Sequence, residues 1–395
     1  MNVAPNVLIP YVLIALPIAI FAWAYAGYPA VLWIASRFKA PRAVPSEPST
    51  WPMISITVPA YNEAARIRST IDSLLAIDYP AERRQILIVS DASTDDTDRI
   101  VAEYADRGVE LYRVSRRGGK TAAENASAAA LRGEIIVNTD ASIRIQPHSV
   151  KALVRALQDP AIGVASGRDI SVGADAEGNR GESGYVGYEM WVRDLETRLG
   201  GIVGASGCCY AARAQIQRTV LRDDLARDFA SALIARRLGL RAVSVNDATA
   251  VVPRTPSLRA ETKRKARTMA QGLETLRYGA SLMNPIRHGA FAIALASHKL
   301  ARWLVYLGVP FAVIGIAWLA LTSRAALALL LAIALGVAMG IAAMRWPSER
   351  RVPLPFALAG FALASTLGGL RAWLLAMRRK RLPMWEPTRR AAIPE

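Results

Sequence analysis

The sequence predicts an α/β domain on a mostly parallel sheet, held between transmembrane α-helices. Three observations predict it. Long stretches hold no charged residue. The region between them alternates short apolar runs with amphipathic ones. Carboxylates recur at the ends of successive apolar runs. The chain has 395 residues, 52% of them apolar, and the apolar residues are unevenly spread. Residues 2–36, 303–323, 325–344 and 352–370 lack Asp, Glu, Lys and Arg. Each matches the ~20 residues a helix needs to cross the hydrocarbon core.

The first segment has a rival reading as a cleaved signal peptide. That would want a positive start and a shorter apolar core. Residues 1–6 hold no Lys or Arg and the apolar run is too long, so a retained helix is expected. Arg37, Lys39 and Arg42 follow it directly, which places the domain on the cytoplasmic side. The formal charge of +17 does not call for nucleic acid, because much of it flanks apolar spans. There Lys and Arg meet anionic membrane lipids. Cys208 and Cys209 are the only cysteines. Adjacent and without zinc-type spacing, they imply neither a disulfide nor zinc.

Residues 54–58 read as a strand, 59–63 as a turn and 64–76 as an amphipathic helix. Residues 85–89 form a second strand, ending at Ser90-Asp91. A helix over 96–106 follows, with Ser93 and Thr94 near its cap. Residues 109–114 are a third strand. Gly118-Gly119-Lys120 opens a helix running to about Leu131, and 134–138 are a fourth strand ending at Thr139-Asp140. Strands alternating with helices imply parallel βαβ units. An open sheet of this kind binds its ligand outside the carboxyl ends of its strands.

Each motif also has a plain reading. Pro59 to Glu63 is a strand-end turn with a helix-capping carboxylate, or half of a binding site. Asp91 with Ser93 and Asp95 is a turn plus cap, or the other half. Gly118-Gly119-Lys120 lacks the spacing of a P-loop and is a solvated basic turn unless Lys120 meets a nucleotide. Residues 185–198 look like an amphipathic helix with core aromatics. Arg227-Asp228 precedes an apolar helix ending at Gly239, where an N-terminal carboxylate suits the helix dipole. Asp223-Asp224 lies just before it. Residues 261–272 are a basic helix, solvated or facing lipid.

Taken together, Pro59-Ala60-Tyr61-Asn62-Glu63, Ser90-Asp91, Thr139-Asp140-Ala141-Ser142 and Arg227-Asp228 resemble the inverting family 2 glycosyltransferases. That group includes hyaluronan, chitin and cellulose synthases, and the resemblance covers roughly residues 54–302. It implies the GT-A fold, a nucleotide-sugar donor and inversion at the transferred sugar. By this resemblance Pro59, Tyr61, Glu63 and Asp91 bind the donor, the two carboxylates holding uridine base and ribose. A carboxylate suits uracil because it can accept the ring N–H. Lys120 also falls near the nucleotide. Asp140 matches the first acid of the Asp-x-Asp motif and would hold Mg2+ or Mn2+ against the diphosphate. The third position is Ser142, which removes one charge from that site.

The same resemblance makes the helix over 185–198, with Trp191, the acceptor side. Residues 204–213 match the Gly-rich loop that lets a sugar approach, with Gly207 at the point of contact. Asp228 takes the place of the catalytic base, though Arg227 replaces the usual Glu and Asp223-Asp224 competes. Arg264 and Arg267 resemble an Arg-Lys-x-Arg form that would grip the diphosphate. The Gln-x-x-Arg-Trp motif of processive synthases is missing. Residues 384–389 resemble a C-terminal Trp-x-x-Thr-x-Arg tail.

The expected layout is a transmembrane helix over 1–36 and a cytosolic domain over 37–286. An interfacial helix over 287–302, transmembrane helices over 303–377 and a basic tail over 378–395 complete it. Gly368-Gly369 and Arg371 mark the last apolar segment as a candidate broken or re-entrant helix. The basic loop at Arg345, Arg350 and Arg351 and the basic tail both want the cytoplasm, yet one span separates them. The functional expectation is a bacterial inner-membrane enzyme. It moves sugar from a UDP-sugar to a lipid-linked or polysaccharide acceptor. The alternatives are a polyprenyl-phosphate glycosyltransferase and a non-catalytic membrane scaffold.

Overall fold

The computed structural model of the protein describes residues 5–40, 45–172, 180–253, 258–346 and 352–378. Among the described residues, eight strands make one sheet in the order β3-β2-β1-β4-β7-β6-β8-β5. The first four are β1 (Ile54–Ala60), β2 (Arg84–Ser90), β3 (Val109–Arg113) and β4 (Ile135–Thr139). They pair in parallel, as expected. β1 is buried along its whole length, as a parallel strand covered on both faces must be. Ile54, Ile56 and Val58 join the core on one face. Leu87, Val89 and Ile136 of the neighbouring strands pack on the other.

The far half of the sheet was not anticipated. β5 (Arg144–Ile145), β6 (Ile162–Val172), β7 (Cys209–Arg213) and β8 (Arg241–Pro253) extend it. β7 pairs antiparallel with both β4 and β6, while β6 and β8 are parallel. These strands are separated by long connections, so no short apolar-helix-apolar rhythm announces them. Strand order reverses between β1 and β4, the switch point at which such sheets open a crevice.

The helix expected from residue 64 begins later, at Ile67–Leu75, because the turn before it is committed to the next loop. The one expected over 96–106 is Thr97–Ala102 followed by a short 3-10 turn. Helices Lys120–Ser127, Arg180–Leu199, Arg227–Arg237 and Leu258–Tyr278 agree in place with the sequence reading.

Among the described residues, four helices are long and apolar enough to cross a membrane: Leu8–Arg37, Ala290–Ala320, Arg324–Met344 and Leu354–Met377. Of the stretch 287–302, expected as a separate interfacial helix, residues 290–302 instead run on into the second of these, after a turn at Gly289. The reason lies in its polar residues. His298 and Arg302 are only 2% and 3% exposed, because Glu189 and Glu196 of the domain receive them. The last segment is likewise unbroken. A Cβ on Gly369 would stand 2.3 Å from Cγ of Tyr306, so this glycine serves close helix packing rather than a break. Residues 379–395, which include the Trp-x-x-Thr-x-Arg tail, lie outside the described residues, as do Arg350 and Arg351.

Candidate active site

β1 ends at Ala60 and the chain turns through Asn62, which takes a left-handed conformation at φ 52°. Asn tolerates that conformation because its short polar side chain bonds locally. Here Asn62 Oδ1 accepts from the Thr94 amide at 2.8 Å, and Asn62 N donates to Ser93 Oγ at 3.2 Å. Asp95 Oδ2 accepts from Ala64 N at 3.1 Å, and Glu63 N donates to Thr97 Oγ1 at 2.8 Å. The two strand-end loops are thus clamped together. Burial pushes the Asp95 carboxyl up, but hydrogen bonds from Thr97 and Ala64 outweigh it and leave it below its usual value. Pro59 is the last residue but one of β1, Glu63 is buried, and Tyr61 carries the Arg117 guanidinium 3.7 Å above its ring.

Asp91 follows β2 and is also buried. Its Oδ1 accepts from Gly118 N and its Oδ2 from Gly119 N, both at 2.8 Å. The carboxylate therefore fixes the turn that launches Lys120. Each oxygen keeps a second lone pair for a ligand. Gly119 sits at φ 91°, where a side chain would be strained.

Lys120 begins its helix and extends to Asp140, just past β4. Nζ lies 2.6 Å from Oδ1. Burial would pull the ammonium down, but Asp140, Glu124 and Asp228 together outweigh it and raise its pKa. Lys120 thus links electrostatically the candidate metal acid and the candidate base. Among the described residues, no group of three or more His, Cys, Asp or Glu side chains gathers around a metal position. Mg2+ is commonly held by one or two carboxylates plus substrate phosphates. Asp140 fits the one-carboxylate form, since among the described residues no hydrogen bond reaches its Oδ2.

Asp228 sits in the first turn of Arg227–Arg237. Its Oδ1 accepts from Phe229 N at 2.9 Å. A Cβ on Gly207 would come within 2.8 Å of its Oδ2, so only glycine leaves this carboxylate its place. Ala205 N donates to the Asp228 carbonyl at 3.3 Å, tying the Gly-rich loop to the helix start. Arg227 points the other way, into the interior. Its Nε lies 3.2 Å from Glu124 Oε2, with both side chains buried, and Nη1 donates to the Gln217 carbonyl at 2.8 Å. Asp224 is paired with Arg222, and Asp223 is exposed beside Asn125.

The structure thus brings Pro59, Tyr61, Glu63 and Asp91 to adjoining strand ends, and joins Lys120, Asp140, Asp228 and Gly207 across β4 and β7. It does not bring the others in by any described contact. Trp191 is 41% exposed, with its ring 6.0 Å from that of Tyr188. Arg264 and Arg267 lie on the helix whose Lys265 meets Ser365 and Phe361 of the last apolar helix. Sequence reasoning missed Glu124, the partner of Arg227, and Arg117 over Tyr61. Arg116-Arg117 directly before the glycines was a visible signal, whereas Glu124 gave none.

A sheet reversing between β1 and β4, with acids beyond both strand ends, is the GT-A arrangement. A mannosyltransferase of Pyrobaculum calidifontis, solved with GDP-Man and Mn2+, shares this fold. It superposes with a TM-score of 0.69 over 93% of this chain and 100% of that one, at 24% identity. Residues 55–221 match the family model described as Glycosyl transferase family 2. A beta-monoglucosyldiacylglycerol synthase of Nostoc sp. is 31% identical over 174 residues, 42% of this chain and 36% of that protein. An N-acetylglucosaminyltransferase of Mesorhizobium japonicum is 29% identical over 186 residues, 45% of this chain and 42% of its own. The chain therefore spans well under half the length of these curated relatives.

Proposed function

We propose that the protein transfers a sugar, with inversion, from a UDP-sugar to a hydroxyl of a lipid-linked acceptor at the cytoplasmic face of a bacterial inner membrane. The observation that carries this reading is the Asp228–Gly207 contact beside the Lys120–Asp140 pair. It supports a base and a cation for a leaving diphosphate acting in one cleft. Asp228 takes the proton of the acceptor hydroxyl as its oxygen bonds to the anomeric carbon. The bond to the diphosphate breaks, and UDP leaves. Lys120 offsets the charge gained by the leaving group. Glu63 and Asp91 receive the nucleoside. Asp140 is the residue that would hold Mg2+ or Mn2+, which supplies further neutralisation of the diphosphate when bound.

A lipid-linked acceptor is favoured over a free polysaccharide because the cleft loop 204–207 rests against a membrane-spanning helix. Lys299 Nζ lies 3.6 Å from where a Gly204 Cβ would be. The named glycolipid synthase among the relatives supports the same choice. Arg37 and Lys39 at the end of the first apolar helix support the cytoplasmic side. The test is UDP release by the purified protein from a panel of UDP-sugars, with labelled product recovered in organic solvent. Product that stays in the aqueous phase would remove the lipid acceptor. No UDP release from any donor would leave a non-catalytic scaffold. Protection of residues 45–286 from protease in inside-out vesicles would overturn the orientation.

A further inference from the structure

A cavity of about 60 Å3 lies where the α/β domain meets the membrane helices. A single water needs on the order of 10–15 Å3 of such space, so a larger polar group fits. Three elements build it. Tyr25 comes from the amino-terminal helix, Glu189 from Arg180–Leu199, and Lys299, Arg302, Trp303 and Tyr306 from Ala290–Ala320.

Its acids are already engaged. Glu189 Oε1 lies 2.8 Å from His298 Nε2, and its Oε2 accepts from Arg302 Nη1. Glu196 Oε1 accepts from Tyr28 at 2.7 Å and meets His298 Nδ1 at 2.7 Å. Lys299 is different. Among the described residues its ammonium has no hydrogen bond or close ion pair; the Phe229 ring lies 5.6 Å away, and the Glu189 and Glu196 carboxylates act on it only at longer range. An ammonium has three donors to satisfy, and withdrawing it from water is costly unless an anion meets it. Phe229 directly follows Asp228, and the same Gly204 position faces both Phe229 and Lys299. This cation, carried on one of the apolar helices and without a close anionic partner, therefore stands beside Phe229, the residue after the candidate base.

We propose that this cavity binds the phosphate of the acceptor lipid, with Lys299 as its principal ligand and Arg302 beside it. The lipid's tail then lies along the aromatic and apolar side chains of the membrane helices, and its hydroxyl reaches Asp228. The acceptor is thus a lipid whose phosphate separates tail from reacting hydroxyl. This deepens the reading of a lipid-linked acceptor and rests on it.

The probe is dihexanoyl phosphatidylglycerol, titrated calorimetrically into full-length protein in a neutral detergent. Dihexanoylglycerol serves as the phosphate-free arm, and inorganic phosphate and UDP as the soluble arms. The phosphate lipid is expected to bind at least about tenfold more tightly than the neutral one, as a charge-assisted hydrogen bond allows. Lys299→Gln should remove that difference, Lys299→Arg should retain much of it, and neither should alter UDP affinity. Equal affinity for the two lipids, or an unchanged preference in Lys299→Gln, overturns the proposal. So does weaker UDP binding in Lys299→Gln, which would give the cation to the donor. UDP release with the neutral lipid as acceptor would keep the transferase and remove the phosphate site. Lys299-dependent lipid binding without UDP release would do the reverse.

Discussion

Arg227 and Glu124 form a buried ion pair, Nε to Oε2 at 3.2 Å, at the residue that precedes Asp228. Arg227 also satisfies the Gln217 and Thr219 carbonyls at 2.8 and 3.2 Å. It anchors the start of the helix that carries the candidate base. An uncompensated buried charge costs about 3–5 kcal/mol. Arg227→Met is therefore expected to lose stability on that order, seen as an early thermal transition in detergent. The double variant Arg227→Met/Glu124→Leu should recover most of the loss. A single variant as stable as wild type would deny the pair this role.

Asp228→Asn keeps the shape and removes the base. Loss of a general base costs about 10²–10⁴-fold in rate. UDP affinity should change little, because the carboxylate faces Gly207 and not the nucleoside loops. Asp223→Asn and Asp224→Asn should be mild, since Asp224 is held by Arg222 and Asp223 is exposed. A dead Asp224→Asn with an active Asp228→Asn would move the base to position 224.

Gly207→Ala tests the cradle itself. The added methyl would stand 2.8 Å from Asp228 Oδ2 and force that carboxylate aside. Misplacement by about 1 Å can cost roughly 10²-fold in rate. The expected signature is a fall in kcat of that order with unchanged UDP binding. A fully active variant would show that the carboxylate need not hold this position.

The near half of the sheet was readable because residues 54–58, 85–89 and 134–138 each hold at least three Ile, Val or Leu residues and each is followed within five residues by a carboxylate. β6 to β8 were not, since their partners are fixed by tertiary pairing between distant segments rather than by a local period. Among site residues, Lys120 and Asp140 were legible as motif positions, and their 2.6 Å contact was not. The role of Arg227 was hidden for the same reason: its partner Glu124 sits on another helix with no spacing signal. Lys299 read as an interfacial charge because an isolated stretch of sequence cannot show that Glu189 and Glu196 draw its neighbours inward.

Acid should loosen the junction between the domain and its helices. Burial alone would raise the Glu189 carboxyl, but His298, Arg302 and Lys299 hold it well below its usual value. A depressed carboxyl contributes stability above its unfolded pKa, about 4.3. That stability is lost as pH falls through the lower folded value. The thermal midpoint should be flat from neutral pH to about 5 and then decline. Glu189→Gln should be less stable than wild type at neutral pH and should converge with it in acid. A constant gap across that range would remove Glu189 from the titration.

Asp140 carries two roles that one pair of variants can separate. Its Oδ1 bonds to Lys120 at 2.6 Å, and it is the carboxylate proposed to meet the metal. Ser142 in the third motif position brings no charge, so loss of Asp140 leaves the motif without a carboxylate. Asp140→Ala is expected to abolish UDP release and to erase any gain in UDP affinity on adding Mn2+. Lys120→Met should weaken UDP binding while leaving the Mn2+ response in place, because it removes a cation without removing the metal's ligand. Wild-type activity unchanged in excess EDTA would count against the metal. The charge of the leaving diphosphate would then fall to Lys120, and Lys120→Met would become the more damaging of the two.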